Sequence, residues 1–399
     1  MTKVAVLGYG TVGSGVYEVI KKNRDVISGK LGEEIEVKYV LDLREFEGDP
    51  VQEVLVHDVD VIISDPEVAI VCETMGGEHP AYEFTKRALE SGKSVCTSNK
   101  ELVEKYGPEF LQIAKAHNCS YLFEASVGGG IPIIRPLRTS LAQEEILSIT
   151  GILNGTTNYI LTKMETEGLA FADVLARAQE KGYAEKNPDA DVLGFDACRK
   201  IAILTSLAYG KKVDFADITT EGITSITDKD FAYAKKMGAT IKLFAKSVKK
   251  SGKYYALVAP FVVFPENPLY AVKGVFNAIL VNCNMGGETM YYGKGAGKLA
   301  TASAVVADVL DCARHKGKHL DIKWEERKLE ISPIDGAVRR FFVRTSSAEE
   351  RIKEFFGEVE MISGVADGEC GFVTEEMSEA AYREKAAKFG DILSMIRVD

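Results

Sequence analysis

The chain has 399 residues, 46% of them hydrophobic and 27% charged, a composition that suits a soluble globular protein of two or three domains. Its net charge of −10 repels nucleic-acid phosphates and anionic membranes, so neither is an expected partner. No apolar run is long enough to span a bilayer, and apolar alternation under way by Val4 leaves no expected secretory leader.

Val4–Leu7 reads as a short strand, Gly8–Gly15 as a glycine-rich turn and Val16–Lys22 as the start of a helix. Further strands are expected at Ile35–Leu41, Val59–Ile63, Ala69–Glu73, Lys93–Thr97 and Ser120–Glu124. A Gly76-Gly77 turn and a helix through about Glu90 follow the fourth strand. This alternation predicts an α/β Rossmann domain with a parallel sheet over residues 1–130. Beyond Gly128-Gly129-Gly130 and Pro132, strands at Ile146–Asn154 and Tyr254–Val263 are expected. Helices near Thr157–Glu167, Phe171–Lys181 and Leu193–Tyr209 complete an α+β second domain over 131–297. The Ala/Val-rich helix Lys298–Arg314 is expected to pack back on the first domain, with 298–315 belonging to it. A charged stretch bearing the single tryptophan, Trp324, is expected as a linker over 316–335. Residues 336–399 follow a βαββαβ order, which fits a small ferredoxin-like unit. The seven cysteines show no CxxC spacing and are expected to be reduced and mostly buried, as in a cytoplasmic protein.

Gly8-Tyr9-Gly10-Thr11-Val12-Gly13 matches GxGxxG between an expected strand and an expected helix, the context in which this pattern binds a dinucleotide. Gly8, Gly10, Thr11, Val12 and Gly13 are the candidate cofactor contacts, joined by Gly76 and Lys100 beyond later strand ends, where ligands gather in such sheets. Asp42 ends the second strand, where a carboxylate binds the ribose hydroxyls of NAD. Arg44, two residues on, suits the 2′-phosphate of NADP instead. The choice between NAD and NADP stays open.

Asp196 and Lys200 lie four apart on one expected helix face. Carboxylates flanking a lysine suit a substrate that carries an ammonium group, with a proton donor near its carbonyl. An exposed ion pair is the plainer explanation of that spacing. Lys100 closes Thr97-Ser98-Asn99-Lys100, just past the fifth expected strand.

Several longer motifs resemble homoserine dehydrogenase, in that family's order. They are Gly8–Gly13, Thr97–Lys100, Glu124–Pro132, Gly151–Tyr159, Gly182–Glu185 through Lys200, Phe276–Ala278 and Gly293–Gly297 through Val305. The resemblance covers about residues 1–315, with Ala300 in place of a usual proline and Ser98 in place of a commoner alanine. It implies a substrate-binding and dimerisation role for the second domain, and interconversion of homoserine and aspartate semialdehyde with NAD(P). It implies that Lys100 and Lys200 are the active-site lysines, and that Glu185, Asp196 and Asp191 are the substrate-side carboxylates. Thr156 and Tyr183 match further substrate contacts. Glu124, Val127, Gly129 and Ile131 match a site for a monovalent cation, sodium or potassium, that would pin the glycine-rich joint. The resemblance also implies a homodimer or homotetramer, for which the apolar strand Tyr255–Val263 is a candidate pairing element.

The C-terminal unit resembles an ACT-like domain, which can sense an amino-acid effector such as threonine. The stretch where its ligand loop is expected, Arg344-Thr345-Ser346-Ser347, lacks the usual glycine and asparagine pattern. Two other functions fit parts of the sequence. A semialdehyde dehydrogenase forming an acyl phosphate needs a cysteine nucleophile, and neither Cys96 nor Cys119, with His117 near, sits at a suitable strand-to-helix position. A non-catalytic NAD(P)-binding sensor has no need of the lysines and carboxylates.

Overall fold

The computed structural model describes residues 1–399. One compact unit comprises Met1–Glu144, Ala202–Phe215 and Gly293–Leu329, and a second comprises Glu145–Ile201, Ala216–Tyr292 and Glu330–Asp399.

The first unit begins with strand β1 (Thr2–Leu7), helix α1 (Thr11–Lys22), and strands β2 (Ile35–Leu41), β3 (Leu55–Val56), β4 (Val68–Glu73) and β5 (Ser94–Thr97). Helix α2 (Lys100–Ala116), strand β6 (Tyr121–Leu122) and helix α3 (Ile134–Arg138) follow. The six strands form a parallel sheet in the order β3-β2-β1-β4-β5-β6. That order reverses between β1 and β4, which opens a crevice at the carboxyl ends of the strands. Val4, Ala5, Val6 and Leu7 have no exposed surface, as a strand covered on both faces requires. The helix Lys298–Arg314 packs on α1, where a Cβ at Gly15 would lie 2.9 Å from Ala302 Cβ and Lys298 Nζ lies 2.9 Å from Glu18.

Two local expectations are corrected. Val59–Ile63 is not a strand but part of the helix Val59–Ser64. The Asp58 side chain caps it by accepting the Asp60 backbone N–H, and its buried side chains, Val59 and Ile62, recur at a spacing of three. The sixth strand contracts to two residues, and Glu124 starts a 3₁₀ turn, Glu124–Ser126. Within the stretch expected as a linker, Trp324 is buried against Gly107 and Phe123, and Glu325–Lys328 pairs with Lys211–Lys212.

In the second unit, β7 (Ile146–Ile152), α4 (Gly155–Glu167), the first half of α5 (Phe195–Tyr209, through Ile201), β8 (Thr219–Thr220) and α6 (Asp228–Lys236) precede the long hairpin β9 (Thr240–Lys250) and β10 (Lys253–Val263), and β11 (Phe276–Cys283) follows it. Then come β12 (Phe341–Thr345), α7 (Glu349–Phe356), β13 (Val359–Ile362), β14 (Cys370–Thr374), α8 (Glu379–Phe389) and β15 (Ser394–Val398). The last four strands form an antiparallel sheet ordered β15-β12-β14-β13, the ferredoxin-like arrangement. Phe341, Ile352, Phe356, Phe372, Tyr382 and Phe389 form its core. Strand β15 also pairs parallel to β10, Phe261 to Arg397 and Val262 to Val398, so the small sheet continues the larger one. Strand β10 is therefore paired within its own chain, to β9 along its length, to β8 at 257–258 and to β15 at 261–262. These ladders occupy the backbone groups that pairing of Tyr255–Val263 across a dimer would use. No helix is long and apolar enough to cross a membrane.

Candidate active site

At the carboxyl end of β1, Gly10 is the N-cap of α1 and no side chain caps that helix. The first-turn N–H groups of Thr11, Val12 and Gly13 therefore have no side-chain cap and carry the positive end of the helix dipole. A Cβ on Gly13 would fall 1.8 Å from Gly8 O, whereas one on Gly10 would meet nothing within 4 Å. The first fact explains why strand and helix pack so closely, and the second leaves the helix end open to a pyrophosphate. Gly76, after β4, is open in the same way.

Asp42 and Arg44, rivals in the sequence, are partners in the structure. Asp42 Oδ2 accepts the Tyr9 backbone N–H at 2.8 Å and Arg44 Nη2 at 2.9 Å, and its Oδ1 accepts Arg44 N at 3.0 Å and Nε at 2.9 Å. The guanidinium holds the Asp42 carboxyl well below the usual carboxylate range. Arg44 remains largely exposed, so it can leave the carboxylate for a ligand.

The ends of β4 and β5 are tied by a buried carboxylate that sequence reasoning missed. Glu73 has no exposed surface; it accepts Thr97 Oγ1 at 2.6 Å and the Met75 N–H at 2.8 Å, while burial pushes its carboxyl up. Thr97 Oγ1 in turn accepts the Asn99 N–H at 2.9 Å. Asn99 caps α2 and donates to Gly77 O at 2.7 Å. Lys100 is thereby fixed as the first residue of a 17-residue helix. A cation is disfavoured at that end of a helix, so helix stability does not explain this lysine.

The second unit brings together Asn154, Thr156, Asp191, Asp196 and Lys200, with Tyr183 joined through its backbone. Lys200 Nζ donates to Asp196 Oδ2 at 2.7 Å and to Leu153 O at 2.8 Å, and the two side chains are 12% and 8% exposed. This is a largely buried pair, not the exposed surface pair that the spacing alone permits. Asn154, just beyond β7, caps α4 by accepting the Thr157 N–H at 2.8 Å. Its amide donates to Asp191 Oδ1 at 2.7 Å and to Asp196 Oδ2 at 2.9 Å. Burial pushes the Asp191 carboxyl up, with the Asp196 charge adding to the effect. Thr156 Oγ1 donates to Tyr183 O at 2.6 Å, and the Tyr183 ring meets Tyr159 edge-on. Glu185 stands apart from this hydrogen-bonded set, on an exposed loop held by Gln179 Nε2 donating to its backbone carbonyl at 3.0 Å. Asn154 is a hub that was not singled out from the sequence, although it lies within the Gly151–Tyr159 motif; its local signal is the helix-capping position before Gly155-Thr156-Thr157.

At the glycine-rich joint, Glu124 is buried and both its oxygens are engaged. Oε1 accepts the N–H groups of Ile133 at 2.6 Å and Ile134 at 2.8 Å, and Oε2 accepts that of Arg135 at 2.7 Å. Asp308 receives the Glu124 backbone N–H and Arg135 Nη2, both at 2.8 Å, and burial pushes its carboxyl up to about 8. Val127, Gly129 and Ile131 lie on the following loop, and a Cβ at Gly129 would fall 2.4 Å from Gly295 O. Six of the seven cysteines are buried. Cys96 is buried with its sulfur 3.8 Å from that of Cys312, and burial pushes the Cys119 thiol up to about 12.

A parallel sheet with an open glycine-rich helix start, together with a buried lysine–carboxylate cluster, defines an NAD(P)-dependent oxidoreductase. Comparison with known proteins narrows the class. The family model of the homoserine dehydrogenase NAD-binding domain matches residues 8–124, and that of homoserine dehydrogenase itself matches residues 132–310. Homoserine dehydrogenase of Synechocystis is 42% identical over 364 residues, covering 87% of this chain and 83% of that protein. That of Bacillus subtilis is 43% identical over 311 residues, covering 77% and 72%. The crystal structure of a homoserine dehydrogenase from Thiobacillus denitrificans superposes with a TM-score of 0.90 at 32% identity, covering 100% of this chain and 98% of the other. A hyperthermophilic archaeal homoserine dehydrogenase mutant, solved in complex with NADPH, superposes at 0.66 with 29% identity, covering 78% and 97%. The chain belongs to the homoserine dehydrogenase family. Its activity is the NAD(P)-dependent interconversion of homoserine and aspartate semialdehyde, a step of amino-acid biosynthesis, and the sensor alternative is not favoured.

Proposed function

We propose that Lys200 carries the proton in this reaction and that Asp196 and Asp191 hold the substrate's ammonium group. The observation that supports this is the largely buried Lys200–Asp196 pair, anchored by Leu153 O and shared through Asn154 with Asp191. Lys200 donates to the carbonyl oxygen as it becomes a hydroxyl, and in the reverse direction a neutral Lys200 takes that proton back. Bound nicotinamide supplies or accepts the hydride at the reacting carbon. Lys100 orients and polarises, while Glu185, Thr156 and Tyr183 contribute to substrate binding. Lys100→Ala and Lys200→Ala test this directly. Each should lower kcat by roughly 100-fold or more, and near-normal kcat in Lys200→Ala would sink the proton-carrier assignment, as near-normal kcat in Lys100→Ala would sink the role given to Lys100.

The pyrophosphate binds at Gly8–Gly13, with Gly76 and Lys100 near the nicotinamide end. Both NAD and NADP are accepted, because Asp42 serves the ribose hydroxyls and a freed Arg44 serves a 2′-phosphate. A monovalent cation, sodium or potassium, would be held at Glu124, Val127, Gly129 and Ile131, whose carbonyl oxygens suit a hard cation. The Glu124 carboxylate already accepts three backbone N–H groups and is better read as the fastener of α3. The protein works in the cytoplasm as a homodimer or homotetramer. Residues 1–130 with 298–315 serve the cofactor, 131–297 the substrate and subunit contact, and 336–399 form the ACT-like unit.

A specific observation bears on the effector. Thr345, Ser346 and Ser347 all donate their hydroxyls to Asp391, at 2.9, 2.9 and 2.7 Å, and these bonds hold its carboxyl below the ordinary range. The loop that would receive an effector carboxylate is filled by one of the chain's own, which supports a bracing unit over a threonine receptor. Added L-threonine should leave rate and oligomer size unchanged, and inhibition with altered assembly would restore the receptor reading.

A further inference from the structure

Arg397, on β15, is 3% exposed, and its guanidinium is shared by two carboxylates. Nε and Nη2 donate to Glu379 at 2.6 and 3.0 Å, on α8 of the same small sheet-and-helix unit. Nη1 and Nη2 donate to Glu221 at 2.7 and 2.8 Å, a bidentate pair that reaches the larger sheet. Such a fork fixes direction as well as distance, so Glu221 is held in one orientation.

Glu221 directly follows β8, and its backbone N–H donates to Val258 O at 2.7 Å. The next two residues support the segment that carries the substrate carboxylates. A Cβ on Gly222 would fall 2.2 Å from Val192 O and 2.6 Å from Leu193 Cα, and the Ile223 N–H donates to Val192 O at 2.8 Å. A Cβ on Gly194 would lie 3.1 Å from Thr220 Cγ2, and the Gly194 N–H donates to Asp191 O at 2.9 Å. Val192–Gly194 is the turn that sets the offset between Asp191 and Asp196, and the backbone of 220–223 is its floor.

We infer that Arg397 is a positioning residue for the substrate: through Glu221 it fixes the floor of the Val192–Gly194 turn, and with it the spacing of Asp191 and Asp196. This rests on the reading of those carboxylates as the ammonium site. It gives the C-terminal unit a part in the reaction that requires no effector.

The test uses two mild variants of the full-length enzyme. Glu221→Gln keeps the Arg397–Glu379 pair, and Arg397→Lys keeps the charge while losing the planar fork. In both, KM for homoserine should rise several-fold, on the order of ten. KM for the nicotinamide cofactor should stay unchanged and kcat should fall less. Hydrogen exchange over residues 189–196 should speed up in both. Arg340→Ala, which breaks an exposed pair with Glu360, serves as the control and should alter neither. Unchanged homoserine KM in both folded variants, with unchanged exchange over 189–196, overturns the inference. If the unmodified enzyme shows no reaction with homoserine, the carboxylate reading fails, and exchange over 189–196 still decides whether Arg397 holds the turn.

Discussion

Asp196 and Lys200 face each other one helical turn apart, 2.7 Å between Oδ2 and Nζ, with neither side chain more than 12% exposed. A pair this buried is costly to desolvate and is retained for what it does. Leu153 O, the second acceptor of Nζ, fixes the ammonium in one place. Replacing Asp196 with Asn keeps an acceptor for Asn154 and removes only the charge. Loss of a charge-assisted contact worth about 1.5–3 kcal/mol should raise KM for homoserine roughly 10- to 100-fold. Steady-state kinetics with homoserine varied at saturating cofactor will measure it.

Asn154 joins two roles in one side chain, helix cap and bridge between two carboxylates. Asn154→Ala should therefore lower stability by about 1–3 kcal/mol and raise KM for homoserine together. Chemical denaturation and kinetics on the same preparation will show whether the two changes are coupled; a loss of stability alone would remove Asn154 from the site.

The Asp42–Arg44 pair makes cofactor preference tunable from both sides. Arg44→Ala should weaken NADP relative to NAD by roughly tenfold or more, and Asp42→Ala should weaken NAD relative to NADP. The ratio of kcat/KM for the two cofactors in each variant checks this, and an unchanged ratio would place the ribose elsewhere.

Lys242 is buried on β9 with its ammonium donating to Val272 O at 2.7 Å, and burial pushes its pKa down from 10.5 to about 8. A base with a depressed folded-state pKa lowers stability wherever the unfolded chain holds the proton and the folded one does not, and below that range. Stability should therefore rise with pH between 8 and 10.5. Lys242→Met lacks this term, so the stability difference between it and the unmodified protein should shift by about 2 kcal/mol in favour of the unmodified protein between pH 8 and pH 10. Denaturation curves of both at pH 8 and pH 10 will reveal it.

The nucleotide-binding half was legible because its constraints are local: Gly13 fits where no Cβ fits, and the glycine pattern records that. Lys200 and Asp196 were legible because four residues make one helical turn. Strand β9 was not, since Phe244 and Val248 share a face with Lys242 and Lys246 and so blur the alternation that marks a strand, and Lys242 is buried by tertiary contacts. Val59–Ile63 misled because a five-residue segment with Asp60 among four apolar residues suits either period. The Arg397–Glu221 pair spans 176 residues, and nothing local in either stretch announces it.

The most direct test of the account is absorbance at the reduced-nicotinamide band when the enzyme is mixed with L-homoserine and NAD or NADP. Absorbance should rise with at least one cofactor, and Lys200→Ala should abolish the rise while the cofactor still binds. No change with either cofactor, or an undiminished rise in Lys200→Ala, would contradict it.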